Sequence, residues 1–245
     1  MYDLHNHVLP GVDDGAADLP EALALLALAS EQGISHLLAT PHIQPGHYEN
    51  AATDILIALQ RLQTEVLAAG IPITLAAAAE VRLSPELVVM AERQSLPFIG
   101  QLRGCNVLLL ELPPSHIPAG TDRLVQWLLK RNILPMIAHP ERNRELLAQP
   151  DKLDSFVRAG CLFQLTAAAL LGDMGAGCQC QAEQWLIEGI YHIVASDAHS
   201  VARRPPKLRA AYEKTRQLLN DAEADKLFIS HPNSYRQRCL SSNCY

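Results

Sequence analysis

The chain alternates short apolar runs with longer segments in which apolar residues recur at helical spacing. Most of the short runs lack polar alternation, which is typical of strands that are buried on both faces of a parallel sheet. Strands are therefore predicted over residues 2–7, 35–40, 73–79, 106–112, 134–139, 161–166 and 191–196. Because helical segments separate them, we expect parallel strands joined by right-handed crossovers.

Capping and stop signals delimit the predicted helices. Asp18 and Glu21 form a capping pair before an apolar stretch that ends at Gly33. Ser84 precedes Pro85, which predicts a cap residue followed by a proline at the first helical position. The remaining predicted helices cover residues 51–69, 122–131, 152–159, 178–188 and 206–220.

Residues of metal-binding type stand at the ends of these apolar runs. His5 and His7 are separated by one residue, so a strand would point both imidazoles the same way. The other candidates are His42, Glu80, Glu111, His139, Asp197, His199 and an acidic residue from Asp13-Asp14. The ends of barrel strands converge on one mouth, whereas the outer strands of an open sheet would hold such residues too far apart. We therefore expect one domain over residues 1–245, a closed or nearly closed TIM-like barrel of seven strands, rather than an open doubly wound sheet.

Each candidate also has a purely structural interpretation. His5 and His7 could be capping or core histidines, and a salt bridge could explain Glu80 or Glu111. Their joint position at strand ends favours a metal centre instead. Imidazoles combined with carboxylates, without cysteine, suit Mn²⁺, Fe or Zn²⁺. The set is too large for one ion and would serve two or three.

A centre with several metal ions suits hydrolysis of a phosphate ester. Such clusters activate water and bind both the attacking and the leaving oxygen of an in-line displacement. Arg142 and Arg204 follow two of the ligand-bearing strands and are candidates for bidentate phosphate contacts. The alternative for either arginine is a surface ion pair.

Composition excludes several classes of protein. The 245 residues are 49% apolar and carry a formal net charge of −6, which argues against a dedicated nucleic-acid binder. No apolar run reaches about 18 residues, so no transmembrane helix is expected. The acidic N-terminal segment does not resemble a signal peptide, and we expect a cytoplasmic protein.

The cysteines are scattered along the chain, at Cys105, Cys161, Cys178, Cys180, Cys239 and Cys244. Cys178 with Cys180, or Cys239 with Cys244, could bind a soft metal. Ordinary reduced thiols are the expectation, because neither pair has a matching second pair at zinc-site spacing. None of the cysteines begins a Cys-x5-Arg loop, so no cysteinyl-phosphate intermediate is expected.

An ordered series of motifs runs from the N-terminus to about residue 206. The motifs are Asp3-Leu4-His5-Asn6-His7, Gly11-Val12-Asp13-Asp14-Gly15, Ala39-Thr40-Pro41-His42, Gly46-His47-Tyr48-Glu49-Asn50, Ala138-His139-Pro140-Glu141-Arg142, Ala195-Ser196-Asp197-Ala198-His199 and Arg204-Pro205-Pro206. The series resembles the polymerase and histidinol phosphatase (PHP) superfamily. Within it, the series is most similar to bacterial capsule-regulating tyrosine phosphatases of the CpsB/YwqE type.

The resemblance implies a distorted seven-stranded β/α barrel with three divalent metal ions, Mn²⁺ being the expected metal. It assigns His5, His7, Glu80 and Asp197 to one ion. Glu80 would bridge to a second ion, which Glu111 and His139 would also bind. Asp14, His42 and His199 would hold the third, so the resemblance favours Asp14 over Asp13. Arg142 and Arg204 would bind the phosphate.

The implied reaction is attack of a metal-activated hydroxide on phosphotyrosine. The implied partner is an autophosphorylated bacterial tyrosine kinase of capsular or exopolysaccharide biosynthesis, with no nucleic acid and no membrane insertion; the oligomeric state stays open. His47 stands where the family often has arginine, which leaves the substrate preference open.

Three other functions are compatible with parts of the pattern. A histidinol-phosphate phosphatase would share the metal centre. A metal-dependent amidohydrolase would usually require a strand-end lysine where Glu80 and Glu111 stand. A non-catalytic regulator of a polysaccharide-assembly kinase would have no reason to keep the complete set of ligands.

Overall fold

Parallel strands joined by helices make up residues 1–236, the part of the chain that the structure, a computed structural model, describes. The strands are β1 (Tyr2–Asp3), β2 (His36–Ala39), β3 (His42–Ile43), β4 (Thr74–Ala77), β5 (Glu80–Arg82), β6 (Gly100–Leu102), β7 (Cys105–Glu111), β8 (Ile133–Ala138), β9 (Leu162–Thr166) and β10 (Ile193–Ala195). The α-helices are α1 (Leu19–Glu31), α2 (Ala52–Ala68), α3 (Glu86–Glu92), α4 (Thr121–Leu129), α5 (Arg144–Ala148), α6 (Asp154–Ala159), α7 (Ala167–Leu170), α8 (Ala176–Ile187), α9 (Leu208–Leu218), α10 (Asp221–Asp225) and α11 (His231–Arg236). All seven predicted strands are therefore present; β7 and β8 have their predicted lengths, and the others are shorter.

Two strand positions of the sheet are interrupted. After a short break, β2 is followed by β3 and β4 by β5. Pro41 lies in the first break and has no N–H to donate to a neighbouring strand. β2 pairs in parallel with β1 and β4, whereas β3 pairs with β5, which in turn pairs with β7. The two interrupted strands therefore pair with each other on both sides of their breaks, whereas β1 pairs with the segment before one break, β2, and β7 pairs with the segment after the other, β5.

The last strand returns to the first. From β7 the parallel order continues through β8 and β9 to β10. A parallel bridge then joins Asn6 to Ala198, and the Asp197 amide donates to the His5 carbonyl at 2.8 Å. With each interrupted strand counted once, seven strand positions form the ring, which confirms the distorted seven-stranded β/α barrel. The unpredicted β6 pairs antiparallel with β7 outside this ring.

Apolar residues fill both sides of the strands. Along β7, Val107 and Leu109 belong to a cluster that also contains Leu4, Leu38, Met136 and Tyr235, whereas Leu108 and Leu110 belong to the larger core that includes helix residues. This alternation follows from the period of two along a strand. The interior of the barrel is therefore packed, and polar chemistry is left to the strand ends.

The helix starts match the capping signals in one case and not in another. The Asp18 side chain accepts from the Glu21 amide at 3.0 Å and caps α1, as predicted. The Ser84 prediction is wrong: α3 begins at Glu86, and Pro85, whose φ of −59° is already helical, takes the cap position. Ser84 contributes only its carbonyl, which accepts from the Leu87 amide.

Two further predictions concern membrane-spanning helices and the number of domains. Within residues 1–236, no helix has both the length and the apolar character needed to cross a bilayer. A single domain over residues 1–245 stays a prediction, because residues 237–245 lie outside the described part.

Candidate metal centre

The strand ends bring all of the predicted metal-binding residues to the same mouth of the barrel. His42 and Glu80 begin the short strands β3 and β5, Glu111 ends β7, and the other donors lie in the loops that follow strands. Their nitrogen and carboxylate oxygen atoms form overlapping donor groups within 4.8 Å. These groups are His7, Asp14, His42 and His199; His5, His7 and Glu80; His5, His139 and Asp197; and His42, Glu80 and Glu111.

Four of these residues lie next to one another across two donor groups, with His5, His7 and Glu80 in one and His5 and Asp197 in another. The Nε2 atoms of His5 and His7 are 3.3 Å apart. Each lies between 3.4 and 3.6 Å from Glu80 Oε2 and Asp197 Oδ1. All four residues are almost completely buried. This is the set that the sequence comparison with the PHP superfamily assigned to one ion.

Glu80 occupies the middle of the centre. Its Oε1 lies 2.9 Å from His139 Nε2, whereas its Oε2 lies 2.9 Å from His42 Nδ1. Glu111 Oε2 is 3.7 Å from the same His42 nitrogen. The donor group that contains both glutamates therefore includes His42, whereas His139 groups with His5 and Asp197. This differs from the expected trio of Glu80, Glu111 and His139, although the two outward-facing oxygens of Glu80 suit a bridging carboxylate.

Adjacent acidic residues, Asp13 and Asp14, have different surroundings. Asp14 Oδ1 lies 3.4 Å from His42 Nε2 and 3.5 Å from His199 Nε2. Asp13 Oδ2 instead receives the His7 ring at Nδ1, at 2.7 Å, and the His42 amide at 3.0 Å. Asp14 therefore belongs to a donor group, whereas Asp13 supports His7 from behind.

The charge balance of the centre rests on contacts between carboxylates and imidazoles. Burial opposes a charged His42, but Asp14 and Glu80 outweigh it and raise the His42 pKa to about 11. Burial and the neighbouring Glu80 raise the Glu111 pKa to about 7. Glu80 Oε2, Glu111 Oε2 and His42 Nδ1 are buried and form no hydrogen bond of suitable geometry, although Glu80 Oε2 lies 2.9 Å from His42 Nδ1 and Glu111 Oε2 lies 2.8 Å from Arg82 Nε. Buried, unsatisfied donors of mixed imidazole and carboxylate type fit divalent metal ions such as Mn²⁺, Fe or Zn²⁺.

Both predicted phosphate-binding arginines reach this centre. Arg142 Nη1 and Arg204 Nη2 each donate to Asp197 Oδ2 at 2.5 Å. Their side chains are 31% and 26% exposed, so they lie at the boundary between the donors and solvent. Glu141 anchors the turn that carries Arg142, because its buried carboxylate accepts from the Thr166 amide and the Tyr191 hydroxyl.

Three residues that sequence reasoning missed contact the predicted donors. Gln164 Oε1 lies 2.9 Å from His5 Nδ1 and accepts from the His139 amide. Asp3 accepts from the His5 amide at 3.5 Å and from the amide and the hydroxyl of Ser196, and burial raises its pKa to about 6. Arg82 pairs with Glu111. The signal for Gln164 was a polar residue inside an apolar strand, and that for Arg82 was its spacing of two from Glu80.

Cysteine does not enter the donor groups of residues 1–236. Cys105, Cys161, Cys178 and Cys180 are free thiols, as expected. Burial raises the pKa of both Cys161 and Cys178 to about 12, so neither thiol is activated. The possible pair of Cys239 and Cys244 lies outside the described residues.

Comparison with known proteins identifies the family. A relative in Staphylococcus aureus, named putative tyrosine-protein phosphatase CapC, is 32% identical over 232 residues, covering 91% of this chain and 90% of that protein. The tyrosine-protein phosphatase YwqE of Bacillus subtilis is 34% identical over 205 residues, covering 83% and 79%.

Solved structures agree with this result. A chain from the crystal structures of Bacillus subtilis YwqE and Streptococcus pneumoniae CpsB, described as metal-dependent tyrosine phosphatases, superposes with a TM-score of 0.88. The two chains are 29% identical, and the match covers 96% of this chain and 94% of that one. The model of the family described as "Capsular polysaccharide synthesis, CpsB/CapC" matches residues 1–236. The chain therefore belongs to the CpsB/CapC family of capsular polysaccharide synthesis.

Proposed function

We propose that this protein is a metal-dependent protein-tyrosine phosphatase of capsular or exopolysaccharide synthesis. The observation that carries the proposal is the convergence of nine imidazole and carboxylate residues on one mouth, with Arg142 and Arg204 at its edge. The named activities of the CapC, YwqE and CpsB relatives support the same reaction.

The residues that would hold the metal ions are those of the donor groups. We assign three divalent ions, with Mn²⁺ as the expected metal, to His5, His7, Asp14, His42, Glu80, Glu111, His139, Asp197 and His199. When bound, such ions lower the pKa of a water molecule and neutralise charge on phosphoryl oxygens.

Arg142 and Arg204 are assigned to the phosphate. Each guanidinium carries several N–H donors in a planar fork, which suits the oxygens of a phosphate group. Both guanidinium groups donate to the same oxygen, Asp197 Oδ2. A phosphate group bound beside this oxygen could therefore accept hydrogen bonds from both arginines. They would stabilise negative charge as it builds on the phosphoryl oxygens.

The assignment of phosphotyrosine rests on the relatives, since CapC, YwqE and CpsB are all named tyrosine-protein phosphatases. We infer that the physiological partner is a phosphotyrosine-containing protein, the autophosphorylated tail of a bacterial tyrosine kinase, in the cytoplasm.

An amidohydrolase is a poorer fit to this centre. That class would usually place a lysine among the ligands, and no lysine of residues 1–236 forms an ion pair with Glu80, Glu111 or Asp197. Lys152, Lys207, Lys214 and Lys226 pair with acidic residues elsewhere, and Lys130 follows α4.

The test is a substrate panel on protein reconstituted with Mn²⁺. We expect preference for a phosphotyrosyl peptide over histidinol phosphate and over a simple alkyl phosphate. Arg142→Ala and Arg204→Ala should each lower kcat/KM by about 10²- to 10³-fold, the usual cost of losing one donor to developing charge. The exposed neighbours provide matched controls, because Arg144→Ala and Arg203→Ala remove the same charge nearby and should leave kcat/KM unchanged.

Two results would contradict the proposal. Preference for histidinol phosphate would overturn the substrate class. Full activity after exhaustive chelation would overturn the metal-dependent reaction.

A further inference from the structure

Arg82 lies beside the metal centre on the same strand as Glu80. The two residues are separated by one position in β5, so their side chains leave the strand on the same face. In the parallel pairing of β5 with β7, Arg82 stands opposite Glu111. The Leu83 amide also donates to the Glu111 carbonyl at 2.8 Å, which fixes the two backbones at this point.

The guanidinium of Arg82 contacts Glu111 directly. Arg82 Nε lies 2.8 Å from Glu111 Oε2, and the side chains are only 16% and 8% exposed. A carboxylate this buried is costly unless it is paired. Within residues 1–236, Arg82 is the only arginine or lysine that forms an ion pair with Glu111.

The other side of the guanidinium is anchored to the loop after β3. Arg82 Nη2 donates to Gln44 Oε1 at 3.2 Å. Gln44 closes a turn, because its carbonyl accepts from the Tyr48 amide at 2.8 Å and its amide donates to the Tyr48 carbonyl at 3.0 Å. Tyr48 in turn stacks on His42, with ring centroids 5.4 Å apart and an interplanar angle of 8°. Arg82 thus connects two strand ends that carry metal-binding candidates.

We propose that Arg82 is a positioning residue, which holds the Glu111 carboxylate toward the centre and ties it to the Gln44 turn beside His42. The inference rests on the proposed role of Glu111 as a metal ligand. Partners that orient a ligating carboxylate usually contribute about 10- to 100-fold to metal affinity.

The alternative is that Arg82 is a third phosphate-binding arginine. Arg142 and Arg204 differ from it in two respects. Both are more exposed, and both converge on Asp197 from the solvent side. Arg82 is instead shared between two protein groups on neighbouring strands, which favours a positioning role.

The test measures metal binding directly, without substrate. Metal-free wild type, Arg82→Gln and Arg82→Lys are titrated with Mn²⁺ by calorimetry, and bound manganese is counted by elemental analysis. We expect the weakest class of Mn²⁺ site to lose about 10- to 100-fold in affinity in Arg82→Gln. Arg82→Lys keeps the positive charge but lacks the planar guanidinium group, so its Mn²⁺ affinity should fall less than that of Arg82→Gln. Arg93→Gln, at an exposed arginine after α3, is the matched control and should bind as wild type does.

A double-mutant cycle connects the loss to Glu111. Glu111→Gln should weaken the same class of site, and adding Arg82→Gln to it should cause little further loss. Far-UV circular dichroism of each metal-free variant separates a binding defect from a folding defect, and Arg82→Lys carries the test if Arg82→Gln does not fold.

The outcomes separate this inference from the proposed function. Unchanged Mn²⁺ affinity in Arg82→Gln, with a raised KM for the phosphotyrosyl peptide, would identify a phosphate-binding arginine and overturn the positioning role. Unchanged Mn²⁺ affinity in Glu111→Gln would instead overturn the ligand assignment on which the inference rests. A lack of phosphotyrosyl hydrolysis in wild type, with the expected manganese losses, would refute only the proposed function.

Discussion

Asp13 controls the orientation of one candidate ligand. It receives the His7 ring at Nδ1, at 2.7 Å, and so leaves Nε2 facing Glu80 and Asp197. A carboxylate behind an imidazole fixes the tautomer of the ring and raises its basicity as a ligand. The Gly15 amide, at 2.9 Å, holds the second oxygen of Asp13.

We predict that Asp13→Asn weakens Mn²⁺ binding by about 10- to 100-fold while the protein stays folded. An asparagine has nearly the same shape but cannot supply the negative charge. Mn²⁺ titration of the metal-free variant measures the loss. Asp173→Asn, which removes an exposed acid paired with Lys207, is the control. Wild-type affinity in Asp13→Asn would refute the role given to Asp13.

Sequence reasoning found the candidate ligands, which the fold brings together, more readily than the residues that contact them. His5, His7 and Glu111 can be recognised from the sequence, because each is a polar residue at the end of an apolar run. The choice between Asp13 and Asp14 could not be made from the residues alone, because adjacent acids differ only in where the loop directs them. Gln164 supports His5 from a strand that is distant in sequence, and that neighbour is defined only once the sheet has formed.

Close packing between the ends of the β1–α1 loop sets the position of His7. A Cβ atom on Gly15 would lie 2.0 Å from the His7 carbonyl oxygen and 2.5 Å from the His7 Cβ. The contact is with backbone, which cannot rotate away as a flexible side chain could. The loop therefore requires glycine at this position for space.

We predict that Gly15→Ala destabilises the protein by about 1 to 3 kcal/mol, the usual cost of overpacking, and also impairs Mn²⁺ binding. Urea unfolding and Mn²⁺ titration measure the two effects. Gly177→Ala in α8 is the control, because nothing lies within 4 Å of the added atom, and it should be neutral or slightly stabilising. Equal stability of Gly15→Ala and wild type would contradict the packing argument.

The elements themselves were predictable because their periodicity is strong. The apolar runs correctly predicted where the parallel strands lie, and the pair of Asp18 and Glu21 correctly predicted where α1 begins. The interruption between β2 and β3 was not predicted, since the run before Pro41 reads as one continuous strand. The break lies after the point where pairing with β1 ends, and local sequence does not encode where a neighbouring strand stops. The short helices α7 and α11 are too brief to show a helical period.

Far from the metal centre, His192 makes the stability of the whole molecule depend on pH. Its Nδ1 accepts from the Phe163 amide at 3.3 Å. Burial, assisted by the nearby His231 and Lys226, lowers its pKa to about 4, from about 6.5 for an exposed histidine. The unfolded chain therefore binds a proton at this residue before the folded protein does. The resulting contribution to stability is complete above pH 6.5 and is lost as the pH falls toward 4.

We predict that His192→Asn removes this dependence, because asparagine can still accept from the Phe163 amide but does not titrate. Between pH 7.5 and 5.0, wild type should lose about 2 kcal/mol of unfolding free energy relative to the variant. Urea unfolding of both metal-free proteins at each pH measures the difference. His116→Asn, at an exposed histidine, controls for a general loss of imidazole. A difference that does not change with pH would contradict the prediction.

The seam between β10 and the start of the chain has a consequence for how the protein is made. The Ser196 hydroxyl donates to Asp3 across 193 positions, and the Asp197 amide donates to the His5 carbonyl beside it. His5 and His7 leave the ribosome before the intervening strands, whereas Asp197 and His199 leave it only after them. Contacts between such distant segments form slowly, because closing the long intervening loop costs entropy before the contacts contribute any stabilising free energy. The nascent chain therefore carries an incomplete set of donors until β10 and the loop after it have been synthesised, and the complete centre can form only after these two segments have met.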